Sequence, residues 1–578
     1  MAALALAGGA GDATAREIEV GIPALRLRTD ATFRYNLGVR TDPVDEKISA
    51  SPVFTEGENS VSQGGITMNR LDLLLEVDAV YEERLGARVS AAGWYDHAYR
   101  SGTVTRDPSL AAIPGTYLGN ELSTYALRRY HGPWGELLDA FAFATLDAGG
   151  VPVTVKAGRH ALYWGESLML AGAVHGIGYA QAPLDLQKGF ATPGIEAKEL
   201  YRPLASVSAQ AQLTPTLSIA AQAFLEWQSY LYPEGATFVG AGDFAFNGPD
   251  GLSRTINGTP SYLVNGGVRR PSSLGDFGVG VRWAPEWLDG TAGLYYRRFT
   301  DKLAAVLITS NAGGNAPLGP SVSSPFRYDQ YYGEGIDLIG ASLAKQVLGV
   351  SVGLDASYRH DMPLLAPSLG YAVAPNPQQA ALLFPHGAPQ LVGNSYQARG
   401  DTVHGVLNAV GIIAGLPAFS SAAWAVELTY SRWLSVGRNP DLFYGEGYGV
   451  CRTDPALSQA GQARTWRDGC ATRDHFAIGA GFTPTWFRVL PGVDLLAPLF
   501  VSWTIVGNSP VMLGGNQASG NFGVGVAADV RNRYRFDLRY ADYFGRTNDN
   551  GTIVTSANGQ VALLKSRASV TLTAKATF

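Results

Sequence analysis

Apolar and polar residues trade places at every step along much of this chain. From residue 25 to 40, one parity holds Leu25, Leu27, Ala31, Phe33, Tyr35, Leu37 and Val39, and the other holds Arg26, Arg28, Asp30, Thr32, Arg34, Asn36 and Arg40. A helix scrambles two such sets around its circumference, whereas a strand sends them to opposite faces. Residues 71–81, 87–95, 205–213, 217–227, 350–358 and 522–530 repeat the alternation, and each is a predicted strand. One stretch departs from it. In 133–147, Leu137, Leu138, Phe141 and Phe143 fall near helical spacing, which predicts a short amphipathic helix at the periplasmic rim.

The connections alternate as well. Three residues join the strands ending at Leu213 and Val530 to their successors, while the gaps at 41–66, 99–120, 166–201, 229–275, 302–333, 361–401, 435–473, 507–518 and 545–560 are long. Short turns at one end and long loops at the other are the mark of an antiparallel transmembrane β-barrel. The segments count to about 18 strands, with 16 the nearest alternative even number. A sheet in lipid must close on itself, because lipid offers its backbone no hydrogen bonds. The polar parity then faces a lumen. The expected organisation is a leader over 1–20, whose Ala13-Thr14-Ala15 resembles the end of an export signal, and one closed barrel over 21–578. The last alternating run, 567–578, ends on Phe578, as in strands read by the barrel assembly machinery.

Composition agrees. Charged residues make up 16% of the chain and Gly 70 of its 578 residues, against about 25% and about 7% in ordinary domains. No uncharged apolar run reaches the ~18 residues of a membrane helix, and 46% hydrophobic with 11% aromatic residues excludes a solvated, disordered chain. The net charge of −5, with no basic-aromatic block, argues against nucleic acid as a partner. Cys451 and Cys470 share one polar, Gly-rich stretch; a disulfide in an oxidising compartment is expected, with two free thiols the alternative.

The expected lumen wall is mixed in sign. Arg26, Arg28, Arg34 and Arg40 on the first strand face Asp72, Glu76 and Asp78 on the second, and opposite charges on neighbouring strands can pair across the ladder. Such a wall is either self-neutralised or a transverse field that orients a polar solute. The long loops are unusually apolar. Residues 362–391 carry Leu364, Leu365, Leu369, Tyr371, Val373, Leu382, Leu383 and Phe384, and 167–195 has only His175, Asp185 and Lys188 as ionisable residues. Bare apolar surfaces of this kind do not face water, so these loops either fold into the barrel mouth or form a capture surface for a hydrophobic ligand. Trp164, Glu166, His175, Asp185, Leu364, Leu365, Tyr371, Leu382, Leu383 and Phe384 are the candidate path and constriction residues.

Chemistry is sparse. The eight histidines form no HExxH pair and no Cys/His cluster at metal spacing, and the chain has no GxSxG elbow, P-loop or GxGxxG after a strand. His97 beside Asp96 and His360 beside Asp361 are the nearest hydrolase candidates. Asn548-Asp549-Asn550-Gly551 lacks the distal Glu of a calcium loop and reads as a turn. No catalytic residue, metal or cofactor is expected.

The blocks RLRTDATFRYNLGVRTD, MNRLDLLLEVDAVYEERLGARVSAAGWYDHAYR and HALYWGESLMLAG resemble a family of uncharacterised Gram-negative barrels, the domain-of-unknown-function family 1302. Asn69-Arg70-Asp72, Gly93-Trp94-Tyr95-Asp96 and Trp164-Gly165-Glu166-Ser167 carry most of the resemblance, and Leu25 and Leu27 stand where the family's first strand begins with Trp. The resemblance implies an outer-membrane location and movement of a lipid-like or other hydrophobic compound. It also implies a periplasmic lipid-carrier-like protein and an RND-type inner-membrane pump as partners. The expected protein is a monomeric, passive outer-membrane channel gated by inward-folded loops. A general diffusion porin, a polymer secretion channel and a barrel hydrolase are the alternatives.

Overall fold

The computed structural model describes residues 16–18, 21–22, 24–256, 259–311, 325–452 and 464–578. The leader expected over 1–20 falls almost entirely outside them. Eighteen strands form the barrel: β1 Leu25–Arg40, β2 Ile66–Tyr81, β3 Leu85–Asp96, β4 Trp134–Asp147, β5 Pro152–His160, β6 Leu204–Thr214, β7 Leu217–Phe224, β8 Phe277–Trp283 and β9 Gly290–Phe299. The ring continues through β10 Ile336–Val347, β11 Val350–Pro363, β12 Arg399–Leu416, β13 Phe419–Trp433, β14 Asp474–Leu490, β15 Val493–Leu496 with Leu499–Val506, β16 Ser519–Val530, β17 Tyr534–Phe544 and β18 Ser569–Thr577. Each pairs antiparallel with the next, and β1 pairs with β18 from Thr32 opposite Thr577 to Arg40 opposite Ser569, which closes the cylinder. The short strand Arg16–Ile18 continues the seam along β1. Phe578 exchanges backbone hydrogen bonds with Ala31 and sets its ring edge-on to Phe33 at 6.0 Å.

The two parities separate as the sequence predicts. Leu354, Leu407 and Leu428 lie directly opposite one another on β11, β12 and β13 and are exposed on the outside. Their sequence neighbours Asp355 and Glu427 are each 1% exposed, on the inside. An apolar exterior on a hydrogen-bonded ring is what lets a sheet stand in lipid. No helix among the described residues is long and apolar enough to cross a membrane. Tight turns such as 82–84, 215–216, 348–349 and 417–418 close one end. At the other end the long loops build a cap around a five-stranded sheet ordered Gly370–Tyr371, Ala305–Ser310, Phe326–Tyr331, Thr259–Val268, Gly251–Ile256.

Two expectations are corrected. The helix predicted over 133–147 is strand β4, Trp134–Asp147. Its register against β3 shifts between Val89 and Ala91. This bulge interrupts the alternation: Leu138, buried against Leu74 and Ala92, and Asp139, bonded to Arg88 and Ser90, both face inward, so Leu138 and Phe141 share a face three residues apart, which mimics helical spacing. The expected pairing of β1 arginines with β2 acids also does not form. Arg34 stands opposite Asp72 in register but donates to Glu199, far along the chain, and Asp72 binds Arg70 on its own strand. Arg40 turns to Glu58, while Glu76 and Asp78 take Arg88 from β3. Arg26 and Arg28 are exposed at the short-turn rim, and Arg26 pairs with Glu83 in the adjoining turn.

Candidate functional site

Between β5 and β6 the chain leaves the wall and crosses the lumen as residues 161–203. It carries three short helices, α1 Leu170–His175, α2 Leu186–Ala191 and α3 Ala197–Leu200. Every residue from Gly172 to Lys188 is buried. The segment is held by side chains from strands on both sides of the cylinder, and several of those side chains grip its backbone.

Helix α1 shows how. Its N-cap, Met169, has no side chain able to accept from the first amides. Glu427 of β13 supplies that acceptor from across the lumen, taking Leu168 N at 2.6 Å and Met169 N and Gly172 N at 3.1 Å each. At the other end Arg359 of β11 donates from Nη2 to the carbonyls of Val174 and Gly176, both at 3.0 Å. An anion at the helix start and a cation at its end also suit the helix dipole. Asp355 accepts from Glu166 N at 2.9 Å and Ile177 N at 3.3 Å, and Arg297 of β9 donates to Ile177 O at 2.9 Å and Tyr179 O at 2.5 Å.

Glycine makes these contacts possible at two places. Gly165 has φ +93°, and a Cβ there would lie 2.4 Å from Asp355 Oδ2. A Cβ on Gly172 would lie 2.4 Å from Glu427 Oε1. A carboxylate can reach the backbone only because the side chain is missing.

The opposite flank of the segment is tied by ion pairs. Glu199 accepts from Arg34 of β1, Lys198 donates to Glu76 of β2, Lys188 donates to Glu136 of β4, and Glu196 accepts from Lys575 of β18. The middle is apolar: Trp164, Val174, Ile177, Tyr179, Leu184 and Leu186 pack with Tyr295, Phe299 and Leu338 of the wall.

The predicted path residues therefore divide between two places. Trp164, Glu166, His175 and Asp185 are all in the crossing segment. Trp164 is buried 5.7 Å from Tyr295, and Glu166 faces Arg282 of β8 at 3.7 Å. Asp185 caps α2 through Lys188 N at 3.0 Å. His175 bridges His404 Nδ1 at 2.9 Å and Gly514 O at 3.1 Å, with His475 5.2 Å away between ring centroids. Leu364, Leu365, Tyr371, Leu383 and Phe384 instead pack into the cap with Ala305, Leu307, Leu442 and Phe443, and Leu382 is exposed on the helix Pro377–Leu383. His360 pairs with Asp401 on the outer face, and His97 lies near Tyr95. Cys451 and Cys470 are bonded and buried beside Tyr444. The side chains that hold the segment, Asp355, Arg359, Arg297 and Glu427, with Asn408 donating to Glu166 O, were visible in the sequence only as polar residues at the lumen parity. On β11, Asp355 and Arg359 share the lumen parity with Ser351, Gly353 and Ser357, and charges among such small residues were the available signal.

The family model described as "Protein of unknown function (DUF1302)" matches residues 1–578. The chain belongs to the DUF1302 family. No curated protein matches it closely enough to count as a relative. Among solved structures, this DUF1302 protein is similar to Acinetobacter baumannii OccAB1, at 10% identity, with 96% of each chain covered and a TM-score of 0.40. A BenF-like porin from Pseudomonas fluorescens Pf-5 shares 8% identity over 96% of this chain and 98% of its own, with a TM-score of 0.40. Pseudomonas aeruginosa OpdK, solved with vanillate, shares 10% identity over 96% and 98%, with a TM-score of 0.37.

Proposed function

We propose that this DUF1302 protein is a monomeric, non-catalytic outer-membrane channel of a Gram-negative envelope. It passes a hydrophobic or amphipathic solute, passively, when the segment 161–203 shifts. The observation that carries the proposal is the clamp on α1: Glu427 and Arg359 spend buried wall charges on the backbone of a segment that fills the bore. A closed lumen suits a gated path better than open diffusion, and an apolar segment core beside a polar wall suits a solute with both characters. The periplasmic lipid-carrier-like protein and the RND-type pump are its proposed partners, and Phe578 its assembly signal.

Planar-bilayer recording tests the proposal. The native protein should show low, intermittent conductance, and Glu427→Gln with Arg359→Gln should raise both the open fraction and the step size. A large, stable conductance in the native protein would favour a diffusion porin, and identical traces from the native and double variant would remove the gate.

A further inference from the structure

The cap holds a cleft of about 70 Å³ whose lining includes Leu369, Tyr371, Leu382, Leu383 and Phe384 together with Arg254 and Arg464. The apolar side is firm: Phe384 is buried in the cap core, Tyr371 and Leu383 pack against it, and Leu369 sits in the neighbouring cluster with Leu252, Leu263 and Ile308. Leu382 extends that surface outward and is 49% exposed.

The charged side carries two arginines, Arg254 half-buried and Arg464 exposed. Arg254 stands over the Tyr371 ring, 5.4 Å from its centroid, and Arg464 donates to the Tyr444 hydroxyl at 3.1 Å. Neither has a carboxylate partner among the described residues. The acid of the lining, Asp441, is already engaged: Arg452 and His386 Nδ1 both donate to its Oδ1, and the His386 amide donates to Oδ2 at 2.9 Å. Two guanidinium groups beside an apolar wall match an anion that carries hydrocarbon. A neutral hydrophobe would leave the arginines without counter-charge.

We propose that this cleft is an outer binding site for a single-chain amphipathic carboxylate, its head group on Arg254 and Arg464 and its hydrocarbon along Tyr371, Leu383 and Leu382. The proposal rests on the capture half of the channel function above and names its substrate class. The chain running inward from the cleft links it to the crossing segment: Leu364 belongs to the cap core and Met362 to the apolar core that surrounds α1.

The test is calorimetric titration of the full-length protein, in neutral detergent, with decanoate, decanol and acetate. Decanoate should bind at least tenfold more tightly than either decanol or acetate. Arg254→Gln with Arg464→Gln should cost decanoate tenfold or more and leave decanol unchanged, and Leu382→Ser should weaken decanoate and decanol alike. Equal affinity for decanoate and decanol, or full decanoate affinity in the double arginine variant, would overturn it. Decanoate binding with no conductance response to the Glu427 and Arg359 changes would leave the cleft standing and dismiss the gate; the reverse pattern would dismiss the cleft alone.

Discussion

Glu427 and Arg359, buried side chains on different barrel strands, hold opposite ends of one six-residue helix, the carboxylate on the amides at its start and the guanidinium on the carbonyls at its end. Hydrogen bonds to a charged group contribute about 1.5–3 kcal/mol each. Glu427→Gln should therefore lower the opening free energy of this region by about 2 kcal/mol, read as roughly 30-fold faster amide exchange at Leu168, Met169 and Gly172. Unchanged exchange at these amides would show that the clamp contributes nothing.

Gly172→Ala separates helix propensity from the clamp. Alanine favours a helix over glycine by about 1 kcal/mol, yet a Cβ here would meet Glu427 Oε1 at 2.4 Å. The variant should loosen the segment and raise conductance, and adding Glu427→Asp, one methylene shorter, should restore part of the closure. A tighter single variant would mean that the carboxylate yields without cost.

Leu428 adjoins Glu427 in sequence but faces outward, 44% exposed. Leu428→Arg should destabilise the barrel by about 2–4 kcal/mol if this position lies near the bilayer midplane. Folding yield into phospholipid vesicles measures this, and a neutral result would place Leu428 outside the hydrocarbon.

Glu58 is a buried hub in the first long loop. It accepts from Arg40, from Arg567 Nε at 3.1 Å, from Ser566 Oγ at 2.9 Å and from Asp45 N at 2.9 Å. Both arginines and the carboxylate have 0% side-chain exposure. Removing one partner strands buried charge, so Glu58→Ala should cost about 3–5 kcal/mol and Glu58→Gln less. Thermal unfolding checks this order.

Burial pushes the Glu234 carboxyl in the cap up to about 8, against the donors Gly248 N, Asn247 N and Gln187 Nε2. A group whose folded pKa is raised binds its proton more tightly in the folded state. Its contribution is complete below about pH 4.5 and is lost as pH rises through about 8. Protease sensitivity of the 225–276 loop should rise over that interval, and Glu234→Gln should remove the slope. A loop equally resistant across the interval would mean that Glu234 is not protonated when folded.

The strand faces were legible because each depends on its own alternation and on nothing distant. Leu354 and Asp355, or Leu428 and Glu427, declare opposite sides by adjacency alone. The pattern misleads where backbone geometry breaks the period: at β4, one bulge opposite Ser90 turns both Leu138 and Asp139 inward. Asp355 and Arg359 were legible as lumen-facing, but not as clamps.

By itself, then, the sequence determined a closed barrel, its inner and outer faces, and which end bears the long loops, since these follow from neighbours one or two residues apart. Only the tertiary structure decided what fills the bore and which charge meets which. Arg34 finds Glu199 across 165 positions and Leu168 finds Glu427 across 259. A buried charge goes to whichever donor or acceptor the closed ring brings within reach, and nothing in the local sequence of either partner records that meeting.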